Sequence, residues 1–98
     1  MDEKRAEQLV EIGCIVCLLH DHRKVAASIH HLTGIKYRAL GKKASDKHTI
    51  PLCFNHHQGN DGVHVMGMRP WEAKYGTQSE LLERVNDMIT ERNACANN

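Results

Sequence analysis

The sequence has few large aromatic side chains and almost no net charge. Its 98 residues include only four of Phe, Trp and Tyr, namely Tyr37, Phe54, Trp71 and Tyr75. A chain of this length forms one domain with a thin core, so a bound metal would help to hold it together. The formal net charge of +1 excludes a protein that binds nucleic acid by bulk charge alone. Trp71 and Tyr75 stand at helical spacing and are predicted to lie in the core.

Long apolar runs are also missing. No stretch approaches the roughly 20 residues that cross a bilayer. The start, Met1 to Lys4, is polar and leads into an amphipathic segment, which is not the pattern of a signal peptide. We therefore expect a cytoplasmic protein with no membrane partner. In that reducing compartment a Cys-x-x-Cys motif indicates metal binding or redox chemistry, and a thioredoxin-like redox motif would need a βαβ pattern that is absent here.

Cysteine and histidine, by contrast, are frequent and occur in pairs. Cys14 and Cys17 are separated by two residues, and Cys53 and His56 repeat that spacing. Zinc prefers four sulfur or nitrogen ligands in a tetrahedron, so these two pairs predict a structural Zn²⁺. The other interpretation is a buried Cys53 thiol with a surface His56. Cys95 is left over, and it is the substitute ligand if His56 does not bind.

The periodicity predicts an α+β fold in a single domain, residues 1–98, with a core at about 14–76. The predicted elements are a helix at 3–12, the cysteine knuckle at 14–17, a strand within 24–30, a loop at 34–45, a strand at 48–52, helical turns within 54–60 and a short helix from 70 to 76. Thr77-Gln78-Ser79-Glu80 is a capping box. It opens a C-terminal helix, residues 77–93, whose apolar face carries Leu81, Leu82, Val85, Met88 and Ile89.

A second set of histidines lies in sequence around the segment that contains Cys53 and His56. Its members are His30, His31, His48, His57 and His64. His30 and His31 are adjacent, and neighbours on a strand point to opposite faces, so one can bind a metal while the other acts as a base. An imidazole with a pKa near 6.5 suits a general base that activates water. The alternative is that each is an ordinary surface or hydrogen-bonded histidine. Asp46 and Asp61 are the only acids nearby, so there is no carboxylate pair for two-metal chemistry.

Several of these segments together resemble a known nuclease family. They are His30-His31-Leu32-Thr33-Gly34, Lys43-Ala44-Ser45-Asp46, the Pro51–His57 block, Gly62-Val63-His64 and Trp71-Glu72-x-x-Tyr75-Gly76. The combination is similar to the HNH endonucleases with a ββα-metal core, and within them to the nuclease domain of the phage Ref family of recombination-enhancement, RecA-dependent nucleases. The similarity covers about residues 14–90.

The resemblance implies a small zinc-stabilised ββα-metal core with an N-terminal helix and C-terminal helices. It also implies roles. His30 and His57 would be ligands of a catalytic divalent ion, His31 the catalytic base, and His64 a further ligand or a phosphate contact. Asp46 would support the site. The family's asparagine position is His48 here, and His30 and His48 are the next candidates for the base. Magnesium prefers oxygen ligands, so Mn²⁺, Ni²⁺ and Zn²⁺ are candidates for the catalytic ion as well as Mg²⁺.

A basic loop completes the prediction. Its residues, Lys36, Arg38, Lys42, Lys43 and Lys47, are the only positive cluster and are expected to contact DNA phosphates. The expected activity is metal-dependent nicking or cutting of DNA in phage recombination, in the cytoplasm of the bacterial host, with the RecA filament as a further partner. The alternatives are a non-catalytic zinc module that binds nucleic acid or a protein, and a structural or packaging component of a phage.

Overall fold

The computed structural model describes residues 2–34, 37 and 45–96, without the side chains of residues 95 and 96. Six helices and two strands lie in this part of the chain. In order they are α1 (Glu3–Ile12), α2 (Ile15–Asp21), β1 (Ser28–His31), β2 (Thr49–Leu52), α3 (Phe54–His57), α4 (Val63–Met66), α5 (Met68–Tyr75) and α6 (Gln78–Ala96).

The two strands form an antiparallel sheet, which confirms the α+β class. His30 pairs with Ile50, and Ser28 pairs with Leu52. All four residues of β2 are buried, because helices cover it: α1, α2 and α6 each contact this strand. The strand β2 therefore runs through the core and ends directly before Cys53 and α3.

The helices enclose one apolar core around the sheet. Its largest fully buried side chains include Trp71, Leu9, Ile12, Ile15, Leu32, Ile50 and Leu52. Trp71 is fully buried and Tyr75 packs against the core, as predicted. Arg5 adds a polar tie, since its guanidinium donates to the Thr49 carbonyl oxygen at 2.8 Å and to Asn86 Oδ1 at 2.8 Å. This one side chain joins α1 to β2 and α6.

The helices differ from the prediction in four places. The knuckle continues as a helix, α2, and a further short helix, α4, lies at Val63–Met66; the pattern predicted neither. Pro70 is the third residue of α5, not the first, because a proline is tolerated anywhere in the first turn. The C-terminal helix runs to Ala96, past the expected end at residue 93, since the last six residues of α6 contain no glycine or proline. The predicted apolar face holds: Leu81 and Val85 are buried, and Leu82, Met88 and Ile89 pack against the core.

Among the described residues, no helix combines the length and the apolar character needed to cross a membrane.

Candidate metal centre

The first cluster consists of Cys14, Cys17, Cys53 and His56, which come together from two helix starts. Cys14 is the N-cap of α2 and Cys53 the N-cap of α3, and each is followed three residues later by its partner. On a helix, positions three apart share a face. Each short helix therefore presents a pair of ligand atoms, and the buried β2 strand brings the second pair to the first.

The separations between ligand atoms match a tetrahedral metal site. A tetrahedron with Zn–S of about 2.3 Å and Zn–N of about 2.0 Å places two sulfurs about 3.8 Å apart and a sulfur and a nitrogen about 3.5 Å apart. The Sγ atoms of Cys17 and Cys53 are 3.8 Å apart. His56 Nδ1 lies 3.7 Å from Cys14 Sγ, 3.5 Å from Cys17 Sγ and 3.2 Å from Cys53 Sγ. The predicted four ligands thus form a buried group that could bind a metal such as zinc.

The electrostatics of the group favour a cation. Burial, and then the neighbouring thiols, raises the pKa of Cys17 to about 12 in the metal-free chain, and burial also raises the pKa of Cys14. Such thiols stay protonated at neutral pH without a metal. A divalent cation offsets the repulsion between thiolates and deprotonates them, so the group is chemically suited to a tightly held ion.

Backbone geometry at Gly13 places Cys14. Gly13 ends α1 with φ +78°, a value that residues with a side chain rarely adopt. A Cβ there would also stand 2.9 Å from the Val25 carbonyl oxygen, the same atom that accepts a 2.9 Å hydrogen bond from Cys14 N–H. The glycine therefore lets the chain turn tightly and fixes the start of α2.

The second cluster consists of His30 on β1, His57 on α3 and His64 on α4. Their ring centroids lie 4.9 Å (His30–His57), 5.3 Å (His30–His64) and 4.9 Å (His57–His64) apart. One ring nitrogen from each lies within 4.8 Å of the other two. His30 and His57 are buried, and His64 is exposed, so the cluster opens to solvent on the α4 side.

Gly62 brings α4 close to α3. A Cβ at this position would meet the His57 carbonyl carbon and oxygen at 2.6 Å and Gln58 N at 2.8 Å, which no side chain could accommodate without a backbone shift. The absence of a side chain lets the chain pass against the end of α3. This close approach places His64 beside His57.

Hydrogen bonds hold the two buried rings in defined orientations. His30 Nε2 lies 3.1 Å from Gln78 Oε1, which also accepts from Thr33 N–H. An amide oxygen only accepts, so His30 Nε2 carries the proton and Nδ1 keeps a lone pair. His57 Nδ1 lies 3.1 Å from Ser28 Oγ, whose hydroxyl donates to the Leu52 carbonyl oxygen at 3.4 Å. His57 Nδ1 is then the donor, and Nε2 is left as the ligand atom.

The same burial keeps both rings neutral. Burial lowers the pKa of His30 to about 4, against the raising effect of Gln78, and burial lowers the pKa of His57. Neutral imidazoles have a free lone pair at pH 7, which is the form that binds metal. A metal-binding histidine usually donates the N–H of its second ring nitrogen to a neighbouring acceptor. The three residues could hold a divalent ion.

His31, the predicted base, lies apart from the three clustered rings. Strand alternation turns it away from His30, and its Nε2 lies 3.2 Å from Asp46 Oδ1. Asp46 Oδ2 accepts from the backbone N–H of Asp2 at 3.0 Å. The hydrogen bond to His31 lowers the pKa of Asp46, so the carboxylate is ionised and fixes the His31 tautomer. Asp46 thus contacts the residue that was predicted as the base.

The remaining predicted residues are only partly described. Lys47 is exposed, while Lys36, Arg38, Lys42, Lys43 and the Cys95 side chain lie outside the described residues. His48 is half-buried, and its ring lies 5.3 Å from that of Tyr37.

Sequence reasoning missed Gln78 and Ser28. The capping box around Gln78 is real, since Glu80 N–H donates to Thr77 Oγ1 at 3.1 Å. A second signal went unused: Gln78, Leu81 and Val85 share one helical stripe at i, i+3 and i+7. A glutamine on an otherwise apolar stripe needs a buried polar partner, and that partner is His30.

Comparison with known proteins identifies a family. A family model described as "Protein of unknown function (DUF968)" matches residues 8–92, a range that contains both clusters. The Escherichia coli (strain K12) protein "Uncharacterized protein YdfU" is 40% identical over 58 residues, which is 59% of this chain and 16% of that protein. The chain spans about a sixth of the length of this curated relative. On the extent of the model match, the chain belongs to the DUF968 family.

Proposed function

We propose that the chain is a metal-dependent endonuclease of HNH type that hydrolyses DNA phosphodiester bonds, nicking or cutting DNA in phage recombination. One observation carries the proposal. A closed, buried group of four ligands lies next to an open group of three histidines. Structural metal sites are closed, whereas catalytic sites have three protein ligands and an open position. A module that only needed a metal to fold would have no use for the second group.

In this proposal Cys14, Cys17, Cys53 and His56 bind a structural Zn²⁺. The ion joins the start of α2 to the start of α3, which are distant in sequence. Because the metal is bound only by the folded chain, its binding free energy stabilises the fold directly.

His30, His57 and His64 hold the second ion. Three imidazole donors suit zinc or nickel better than magnesium, which prefers oxygen. When bound, the ion supplies positive charge to a scissile phosphate and to its leaving oxygen. Gln78 and Ser28 keep the ligand nitrogens of His30 and His57 pointed into the cluster, and the exposed side of His64 gives the phosphate access.

His31 serves as the general base. Its Nε2–H is held by Asp46, so Nδ1 is the nitrogen that accepts the proton from the attacking water. The carboxylate, whose side chain is 42% exposed, then stabilises the imidazolium that forms, in the role that the aspartate has in a catalytic triad. Asp46 also ties this pair to the start of α1 through Asp2 N–H, which limits the motion of the base.

DNA is the proposed substrate. The five basic residues between positions 36 and 47 are the proposed contacts to its phosphates. Of these residues, Lys47 is described by the structure and is exposed. The RecA filament and the phage context stay predictions that come from the Ref resemblance, and the cytoplasmic location stays a prediction from the polar N-terminal segment and the lack of long apolar runs.

The test is His31→Ala. The variant should keep the fold, the structural zinc and DNA binding, and should lose cleavage by about 10²-fold or more, the scale for a lost general base. His22→Asn is the matched control, because His22 is exposed, belongs to neither cluster and has φ +54°, which asparagine tolerates. If folded His31→Ala cuts DNA at the wild-type rate, His31 is not the base.

A further inference from the structure

Helix α3 has two side-chain pairs that face different ways. Cys53 and His56 point into the four-ligand group, while Phe54 and His57 form the next pair, also three residues apart. Positions with this spacing are neighbours on a helix surface. His57 is buried in the three-histidine cluster, but Phe54 is 72% exposed. An exposed phenylalanine ring thus stands one helical turn from a candidate metal ligand.

The ring borders a depression next to the cluster. The depression has a volume of about 440 Å³ and is lined by Ala26, Ala27, Ser28, Phe54, His57 and Gln58. Apart from His57, none of these residues has an ionisable side chain. Ala26 and Ala27, which precede β1, have small side chains, and the exposed Gln58 adds an amide to the lining. Such a surface fits a flat, uncharged group with polar edges.

His57 belongs to both features. Its ring lines the depression and also lies 4.9 Å from the rings of His30 and His64. A ligand that fills the depression and also reaches the ion proposed for the three-histidine cluster must have a neutral flat part directly next to an anionic part. A nucleotide has this composition: a base beside a phosphate.

We propose that the depression binds an unpaired nucleobase, stacked on Phe54, from the nucleotide next to the phosphate at the three-histidine cluster. This deepens the proposed nuclease function and rests on it. A base inside a duplex is covered by its neighbours and cannot reach a protein ring unless it leaves the stack. The substrate class is therefore single-stranded or locally unpaired DNA. Loss of one base–aromatic contact should weaken binding by about 5- to 150-fold.

The experiment compares Phe54→Ala and Phe54→Trp with wild type, using a single-stranded oligonucleotide and its duplex, on zinc-loaded protein without added second metal. F54A should bind the single-stranded oligonucleotide about 5- to 150-fold more weakly than wild type. It should bind the duplex as tightly as wild type does. Its salt dependence should not change, because no phosphate contact is removed. F54W should keep single-strand affinity, and its indole fluorescence should be quenched by the oligonucleotide, since Trp71 is fully buried and gives a constant background.

Val10→Ala is the control, because Val10 is also exposed (54%) but lies on α1, outside the depression. Equal single-strand affinity of F54A and wild type, an equal loss in V10A, or unquenched F54W would overturn the base site. A cleavage assay with added manganese, run apart from the binding measurements, distinguishes the nucleobase site from the nuclease activity. Cleavage by wild type with no effect at Phe54 refutes the base site alone, and quenching of F54W without cleavage refutes the nuclease alone. A protein that binds neither oligonucleotide refutes both.

Discussion

Replacement of Gln78 should damage the second metal site without touching any of its ligands. Gln78 is 2% exposed. Its Oε1 accepts from His30 Nε2 and Thr33 N–H, both at 3.1 Å, and its Nε2 donates to the Thr33 carbonyl oxygen at 3.0 Å. Leucine has a similar volume but no polar atom, so Gln78→Leu leaves these three groups unpaired.

The size of the effect follows from burial. An unpaired buried donor costs about 1–3 kcal/mol, and His30 is 1% exposed. The Thr33 groups are half-buried and can partly hydrate, so we expect a total loss of about 2–4 kcal/mol in the free energy of unfolding. The His30 ring also loses its orientation. Loss of such a supporting hydrogen bond lowers metal affinity by about 10- to 100-fold.

Two measurements check this on zinc-loaded protein: urea unfolding for stability and calorimetric titration with nickel for the second site. Gln78→Glu keeps oxygen acceptors for His30 and should restore nickel affinity, although it loses the donor to Thr33. Gln8→Leu makes the same change on α1, in neither cluster, and is the control. Wild-type nickel affinity in folded Gln78→Leu, or equally weak binding in Gln78→Glu, would refute the reasoning.

Two further predictions concern the zinc group and acid stability. Cys14→Ala should lose the bound zinc and the cooperative thermal transition together, and full zinc content by elemental analysis in that variant would exclude the four-ligand site. The pKa of His30, about 4 in the folded chain and near 6.5 when unfolded, means that the unfolded chain takes up this proton first as pH falls. The free energy of unfolding without the second metal should therefore drop by about 3 kcal/mol between about pH 6.5 and pH 4 because of this residue. Urea unfolding of wild type and His30→Gln at matched pH values checks the sign, and equal slopes would contradict it.

Local spacing was enough to predict the four-ligand group. Cys14 with Cys17 and Cys53 with His56 are three residues apart, so one helical turn determines each pair. The α3 helix, the capping box at Thr77 and the apolar face of α6 have similarly local signals. Helix α2 was not predicted because its N-cap is Cys14, and cysteine is not a usual capping residue.

Long-range polar contacts could not be predicted in the same way. Gln78 reaches His30 across 48 positions, and Arg5 reaches Asn86 across 81. Neither contact changes the periodicity of its own segment. The grouping of His64 with His30 and His57 depends on the backbone approach at Gly62, which a sequence pattern marks only as a turn. The family resemblance, and not any spacing, named His30, His57 and His64 as one ligand set, and the fold brings these three together and pairs His31 with Asp46.

Nicking of supercoiled plasmid by wild type and His57→Ala, each loaded with one zinc ion per chain and assayed with and without added manganese, tests the central claim most directly. His57 contributes to the three-histidine cluster and not to the four-ligand group, so its loss should leave fold and zinc content unchanged. The account predicts nicking by wild type only with the added ion, and loss of both nicking and second-metal binding in His57→Ala. Nicking by His57→Ala at the wild-type rate would contradict it. So would a wild-type protein that cuts neither plasmid nor single-stranded DNA with magnesium, manganese, nickel or zinc, with RecA filaments present, and the non-catalytic zinc module would then replace the nuclease.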